Sequence, residues 1–210
     1  SLAQLQRFQM IFPLFPSADR SLSCTDGIIS LDNRQFNLDL VRPGIGLVGG
    51  APNAHSSLSN DIKHTFELYA RVSQPRTLEK GSTVGYGGKY TLTRDSLILL
   101  AHIGYKDGYL SSLSETLNFP KGAYMVMGEY RLPIIGRISL GVTILDATDL
   151  PCSYLDKYSY VEVIGPNVDI KYLAEIVGCY EILMALGRPN PKCQDYTSIE
   201  FSACYESALS

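Results

Sequence analysis

One tyrosine of this chain stands where a side chain could exchange protons with a substrate. Tyr105 lies in residues 103–109 (IGYKDGY), directly after an apolar stretch, 96–103, that alternates like a β-strand. The glycines around it permit a tight turn that exposes the ring. Tyrosine phenols have a reference pKa of about 10, so they act as bases near neutral pH only where cations or hydrogen-bond donors stabilise the phenolate. The alternative is a strand-end tyrosine that closes a core, a common place for this residue.

A second group of residues could hold an anion. Arg42 lies in residues 41–46 (VRPGIG), where Gly44 and Ile45 follow on a glycine-rich turn. Backbone N–H groups on such a turn can approach a phosphate closely. The alternative is an arginine at a strand end that pairs with a carboxylate.

The composition limits the kinds of protein that this chain could be. The 210 residues are 45% hydrophobic with a formal net charge of -3, which predicts a globular protein and argues against nucleic-acid binding. No apolar run reaches the roughly 18 residues that span a bilayer, and the apolar segment 8–15 lacks the cationic start of a signal peptide, so we expect a cytoplasmic protein. The five cysteines and three histidines show neither disulfide nor metal-ligand spacing, so we expect reduced thiols and no metal.

The first fifty residues predict a mixture of helix and strand. Apolar residues recur at helical intervals over 4–15, and two prolines near the end of that stretch should stop the helix. Residues 37–50 predict a buried strand that ends in the glycine-rich turn. A small, polar, proline-containing loop at 51–62 marks a boundary, and we place the first domain at 1–52.

Beyond this boundary the pattern becomes that of strands. Six runs alternate or carry β-branched residues between glycines: 65–72, 89–92, 96–103, 123–127, 133–145 and 158–164. With little helix between them, they predict an antiparallel barrel or sandwich. Helices should follow at 169–178 and 180–186, which completes a domain at 53–193. We expect the tail at 194–210 to be docked on the surface or frayed.

Several of these motifs, in the same order, resemble those of alanine racemase. Residues 84–87 (VGYG) and 103–109 flank one strand as at the start of that family's C-terminal domain, and 133–141 (PIIGRISLG) is similar to its Pro-Ile-Val-Gly-Arg-Val-Cys-Met-Asp segment. The resemblance covers about 25–188. It implies a mainly β fold with an α/β remnant, in which the last strand and helix units of a TIM-type barrel that binds pyridoxal 5'-phosphate precede a β-barrel-like C-terminal domain.

The resemblance also implies an activity and roles for single residues. The activity is the pyridoxal-phosphate-dependent interconversion of L-alanine and D-alanine for peptidoglycan precursor synthesis. Tyr105 would be the catalytic base on one face of the substrate's α-carbon. The other implied residues hold the cofactor or the substrate: Arg42 at the pyridine nitrogen, Gly44, Ile45, Thr25 and Tyr180 at the phosphate, and Arg137 and Leu140 at the substrate.

Some positions depart from the family pattern. Thr25 stands where the family has a phosphate-binding serine, and Cys24 and Asp26 around it differ from the family's residues. An acidic side chain beside a phosphate should point away from it. Leu140 and Gly141 replace a methionine and an aspartate, so a backbone role can persist there whereas a carboxylate role cannot.

The family's cofactor-binding lysine has no counterpart in these 210 residues. In that family it lies near the N-terminus, and head-to-tail dimers bring the tyrosine of one subunit to the barrel of the other. The resemblance therefore implies a head-to-tail homodimer or a separate N-terminal half as partner, with the cofactor bound covalently only when the lysine is supplied. Two alternatives stay open: a non-catalytic racemase-like β-module that acts through protein–protein binding, and another barrel enzyme of this kind, such as an amino-acid decarboxylase.

Overall fold

The computed structural model describes residues 2–31, 34–51, 62–114 and 122–186. They fall into two compact units, Ser1–Thr65 and Phe66–Ser210. The domain boundary predicted between residues 52 and 53 and the tail predicted at 194–210 lie outside the described residues. Within the described part of the chain, no helix has the length and apolar character needed to cross a bilayer.

The described part of the first unit contains two short helices, α1 (Leu2–Gln9) and α2 (Thr25–Ser30). α1 ends earlier than the helix predicted over 4–15. The reason is Pro13, whose ring would collide with the carbonyl of Gln9 if the helix continued. The chain tightens there into a 3₁₀ turn that accommodates the proline near its start.

The segment 37–50, predicted as a buried strand, does not form one. Arg42 makes an isolated parallel β-bridge with Cys24, and the chain then turns into a 3₁₀ helix at Ile45–Val48. A parallel strand needs hydrogen-bonded neighbours along its length, and Pro43 has no N–H group to contribute. The strand prediction was wrong, whereas the predicted glycine-rich turn is present.

The second unit is built on strands. Its described strands are β1 (Leu68–Leu78), β2 (Thr83–Val84), β3 (Tyr90–Thr91), β4 (Ser96–Ala101), β5 (Tyr124–Met127), β6 (Tyr130–Pro133), β7 (Thr143–Asp146) and β8 (Tyr160–Ile164). Six of them form an antiparallel sheet in the order β6-β5-β8-β1-β4-β7, and β2 pairs with β3. The strands are rich in branched aliphatic and aromatic residues, which suit a pleated and half-buried surface.

The two edge strands of the sheet meet, so the sheet is a nearly closed barrel. Ile134, just after β6, forms an antiparallel bridge with Leu145 of β7. The backbone N–H of Ile135 donates to the carbonyl of Ile144 at 3.0 Å. Closure of this kind satisfies strand edges that would otherwise expose unpaired N–H and C=O groups. The predicted barrel-like β-domain is confirmed.

The run 133–145, predicted as one strand, is divided by a loop. β6 ends at Pro133 and β7 begins at Thr143. Between them Gly136 has a φ of 68°, a left-handed conformation that breaks the strand. Apolar and β-branched residues continue through the loop, which explains why their pattern suggested a single strand.

Up to residue 186, where the description of the chain ends, the second unit has three helices: α3 (Cys152–Lys157), α4 (Ile170–Val177) and α5 (Glu181–Leu186). The sequence pattern predicted α4 and α5 but not α3. α4 begins after Asp169, whose carboxylate accepts an amide hydrogen bond from the first turn, and it ends at Gly178 with a φ of 82°. Both signals are local, which is why these limits could be predicted.

One carboxylate is buried among the described residues of the second unit. Glu162 is 5% exposed, and its Oε1 atom accepts hydrogen bonds from the backbone N–H groups of Asn167 (2.7 Å) and Val168 (2.9 Å). The side-chain amide of Asn167 donates to Oε2 at 2.8 Å. These bonds offset the cost of burying the charge. Glu162 thereby fixes the turn between β8 and α4.

The core also contains a hydroxyl group without a partner. Tyr109 is fully buried, and among the described residues its hydroxyl has no hydrogen-bond partner. Burial raises the pKa of the Tyr109 phenol well above its usual range, with a smaller contribution from Tyr172. Leaving a buried hydroxyl unsatisfied costs about 1–3 kcal/mol.

Tyr109→Phe should therefore raise the free energy of unfolding by about 1 kcal/mol at neutral pH. The gain should grow above pH ~10, because the folded wild-type protein retains a phenol proton that the unfolded chain releases there. Urea unfolding at neutral and alkaline pH measures both effects. Tyr172→Phe is the matched control, since the Tyr172 hydroxyl donates to the carbonyl of Gly122 at 3.3 Å and its loss should not stabilise. A Tyr109→Phe protein less stable than wild type would contradict the prediction.

Candidate functional site

The predicted catalytic tyrosine lies on a 3₁₀ turn, Tyr105–Asp107, directly after β4. Its side chain is 51% exposed. The carboxylate of Asp107 accepts a hydrogen bond from the backbone N–H of Gly104 (3.0 Å), and the backbone N–H of Asp107 donates to the carbonyl of Gly104 (3.0 Å). Gly108 ends the turn with a φ of 88°. The turn therefore fixes the backbone of Tyr105 while its ring stays accessible.

The structure brings Tyr105 and Leu140 together through their backbones. The N–H of Tyr105 donates to the carbonyl of Ser139 (3.1 Å), and the N–H of Lys106 donates to the carbonyl of Leu140 (2.9 Å). A Cβ atom at Gly104 would lie 2.3 Å from the carbonyl oxygen of Ser139 and 2.6 Å from the carbonyl carbon of Leu140. The two backbones can therefore come this close only because residue 104 is a glycine.

Leu140 itself is 54% exposed. The turn that carries it is closed by Ser139, whose N–H and Oγ–H groups both donate to the carbonyl of Val142, at 3.0 and 2.7 Å. With its carbonyl occupied by Lys106, Leu140 presents its side chain beside the Tyr105 turn. Gly141 belongs to the same turn, and the end of the Lys106 side chain lies next to it.

Arg137 is positioned by two interlocking glycine turns. A Cβ atom at Gly85 would lie 3.0 Å from the backbone nitrogen of Arg137, and one at Gly136 would lie 3.0 Å from the carbonyl oxygen of Val84. Both glycines have positive φ, 79° and 68°. The motif at 84–87 thus supports the 134–142 loop, and the side chain of Arg137 is exposed.

Tyr180 is half-buried and directly precedes α5. Its carbonyl accepts a hydrogen bond from the N–H of Leu183 (3.1 Å). This bond joins Tyr180 to the first turn of α5, so the position of its ring depends on how that helix packs.

In the first unit, Thr25 and Gly44 are brought together. Thr25 is 5% exposed, and its Oγ1 atom accepts hydrogen bonds from the backbone N–H groups of Gly44 (2.8 Å) and Gly46 (3.2 Å). A hydroxyl oxygen has two acceptor lone pairs and one proton. Accepting both amides leaves the Thr25 hydroxyl as a donor, which suits an anionic ligand. Ile45 lies between the two glycines, at the start of the 3₁₀ helix.

Arg42 is tied to the same segment. Its backbone N–H donates to the carbonyl of Ser23 (2.9 Å), and its guanidinium donates to the hydroxyl of Ser21. The side chain is exposed. The carboxylate pairing considered as its alternative is not among the contacts of the described residues.

The two residues around Thr25 that depart from the family pattern have local roles. The carboxylate of Asp26 accepts a hydrogen bond from the hydroxyl of Ser30 (2.7 Å) along α2. The Cys24 thiol accepts hydrogen bonds from the backbone amides of Gly27 and Asp26, which lower its pKa. The Asp26 carboxylate is therefore hydrogen-bonded within its own helix, α2.

Sequence reasoning missed several residues that hold this arrangement. Asp107 could have been found, because a glycine followed three residues later by an acidic residue matches the spacing of a capping box. Gly46, Ser21 and Ser139 act through contacts across loops, for which the sequence carries no local signal. The predicted residues thus form separate sets, Thr25 with Arg42, Gly44 and Ile45 in the first unit, and Tyr105 with Leu140 in the second.

Comparisons with known proteins point to one family. Residues 65–193 match the family model described as alanine racemase, C-terminal domain. The biosynthetic alanine racemase of Agrobacterium fabrum is 36% identical over 193 residues, covering 88% of this chain and 48% of that protein. The catabolic alanine racemase of the same organism is 40% identical over 188 residues, covering 89% of this chain and 46% of that protein.

A solved structure gives the same result. The alanine racemase of Bartonella henselae, a crystal structure with covalently bound pyridoxal phosphate, matches with a TM-score of 0.72 and 32% identity, covering 89% of this chain and 49% of that one. The chain spans about half the length of the curated relatives it matches. Since the family model covers more than half of the chain, this protein belongs to the alanine racemase family and contains that family's C-terminal domain.

Proposed function

We propose that this chain is the C-terminal portion of a pyridoxal-phosphate-dependent alanine racemase. It would interconvert L-alanine and D-alanine in the cytoplasm, for peptidoglycan precursor synthesis, once a lysine-bearing N-terminal segment is supplied. Membership of the alanine racemase family supports this activity. The observation that carries the proposal is Tyr105, whose ring is 51% exposed on a turn hydrogen-bonded to Ser139 and Leu140.

Tyr105 would move a proton at the α-carbon of the substrate. A positioned acid or base of this kind contributes about 10²–10⁴-fold to a rate. The backbone hydrogen bonds to the 139–140 turn fix the origin of the side chain, which limits the positions that the phenol can reach. Leu140 and Arg137 would line the substrate's path beside it.

By the family resemblance, residues of the first unit and Tyr180 would hold the cofactor. The Thr25 hydroxyl, which accepts the Gly44 and Gly46 amides, would donate its proton to a phosphate oxygen. Gly44 and Ile45 would approach the same phosphate through their backbone, and Tyr180 would contribute its hydroxyl. Arg42 would face the pyridine nitrogen. Bound pyridoxal phosphate supplies the electron sink that stabilises negative charge at the α-carbon.

The partner would be a second copy of the complete subunit. We propose residues 1–52 as the end of the barrel, 53–193 as the β-domain and 194–210 as a tail. In a head-to-tail homodimer, Thr25, Arg42, Gly44, Ile45 and Tyr180 would serve one cofactor, and Tyr105 and Leu140 would serve the cofactor of the partner. A lysine from the N-terminal segment would serve the opposite face of the α-carbon.

Thr25→Val should weaken pyridoxal phosphate binding about tenfold or more, because the loss of one hydroxyl hydrogen bond to a charged group is worth about 1.5–3 kcal/mol. Thr25→Ser keeps the hydroxyl and should bind like wild type. A spectroscopic titration of the chain with pyridoxal phosphate measures the affinities, and thermal unfolding reports any loss of fold. Equal affinity of Thr25→Val and wild type, or no saturable binding by wild type, would contradict the phosphate site.

Tyr105→Phe should abolish proton exchange at one face of alanine. The assay joins this chain to the lysine-bearing half of the Agrobacterium fabrum biosynthetic racemase and follows deuterium entry into L-alanine and D-alanine by NMR. Exchange of one enantiomer should fall by about 10²–10⁴-fold, while exchange of the other persists.

Tyr86→Phe is the matched control for that assay, because Tyr86 is also a glycine-flanked tyrosine and is 68% exposed. Its exchange rates should equal those of the wild-type fusion. If Tyr105→Phe left both enantiomers exchanging normally, the catalytic role would be wrong. A folded wild-type fusion without any exchange would favour a non-catalytic racemase-like β-module.

A further inference from the structure

The Tyr105 turn ends at Gly108, and this end also lies against the backbone of another segment. A Cβ atom at Gly108 would lie 2.3 Å from both the carbonyl carbon and the carbonyl oxygen of Ala185, and 2.5 Å from the nitrogen of Leu186. These atoms belong to the last turn of α5. Because they are backbone atoms, no side-chain rotation could make room.

The contact does not follow from the backbone conformation of Gly108 alone. Gly81 has nearly the same backbone conformation, with a φ of 87° against 88° at Gly108, yet a Cβ atom there would meet nothing within 4 Å. A left-handed φ alone therefore does not require such proximity. The close approach at Gly108 is a property of how α5 packs.

α5 is anchored in the core beneath the turn. Ile182 is fully buried, and Leu183 and Leu186 pack against the same hydrophobic cluster. Tyr109, the neighbour of Gly108, is fully buried in that cluster too. A displacement of α5 would expose these apolar side chains to water. The free-energy cost is about 25 cal/mol for each Å² exposed, so the helix resists movement.

We propose that α5 acts as a strut that positions Tyr105, with Gly108 and Ile182 as positioning residues for the proton transfer. The turn is held from two sides, by Ser139 and Leu140 against Gly104 and by α5 against Gly108. Both contacts are made by the backbone of the turn, so they fix the point from which the Tyr105 side chain extends. This inference rests on the catalytic role proposed for Tyr105.

The test places 3-fluorotyrosine at position 105 of the full chain and records its ¹⁹F NMR resonance. Gly108→Ala should shift that resonance by more than its linewidth or split it, because the added methyl group forces the turn and α5 apart. Gly81→Ala introduces the same left-handed strain without a contact. It should leave the resonance at the wild-type position, even where both variants melt at a lower temperature.

A second variant acts from the helix side and leaves the turn's sequence intact. Ile182→Ala should also move the resonance of residue 105, since it loosens the anchor of α5, and the conservative Ile182→Val should restore it. If Ile182→Ala leaves the resonance unchanged while the protein stays folded by circular dichroism, the strut is wrong. The same holds if Gly108→Ala folds and leaves the resonance unchanged.

The measurement requires no cofactor or substrate. Failure of pyridoxal phosphate binding or of racemisation would count against the proposed function without altering the ¹⁹F result. An unmoved resonance in a protein that racemises alanine would overturn the strut alone.

Discussion

The candidate site of the second unit depends on one close approach of two backbones. At Gly104 the chain passes within contact distance of the Ser139 and Leu140 carbonyl groups, where no side chain fits. The N–H groups of Tyr105 and Lys106 then reach those carbonyls. Hydrogen bonds between backbones tolerate little displacement. This approach gives an exposed tyrosine a defined position without using its hydroxyl group.

The barrel creates the conditions for that approach. β4 and β7 pair over four residues, Ile98 to Ala101 with Asp146 to Thr143, so the chain leaving β4 emerges beside the chain entering β7. The bridge between Ile134 and Leu145 closes the sheet and pulls the 134–142 loop into the same place. Hydrophobic burial along both strands, including Leu99 and Leu145, supplies the free energy that holds these ends together.

The first unit works by a different principle. Its candidate site is held together by polar groups: the Thr25 hydroxyl oxygen accepts hydrogen bonds from the backbone N–H groups of Gly44 and Gly46. The same unit exposes large apolar side chains, among them Met10 (79%), Leu14 (70%) and Leu47 (63%). Such surfaces are typical of segments that pack against further protein. This agrees with a chain that spans about half the length of its relatives.

The amino-acid sequence was sufficient to predict the local features of this protein. Asp169 and Gly178 delimit α4 because capping acts within a turn of helix, and Gly108 ends the Tyr105 turn because its left-handed φ of 88° suits a glycine. Motif order was enough to indicate the family, since it records residue types without needing distances. The sequence was therefore enough to single out Tyr105, which the fold leaves exposed.

Contacts between residues far apart in sequence could be seen only in the folded chain. The strand predicted at 37–50 does not form because a strand needs hydrogen-bonded neighbours. The run 133–145 divides at the left-handed Gly136, and the loop that follows lies against Gly104. The partners of Gly104 and Gly108, at 139–140 and 185–186, lie more than thirty and seventy residues away along the chain. A periodic pattern reports which face of a segment is apolar, but only folding determines which backbone comes to lie against it.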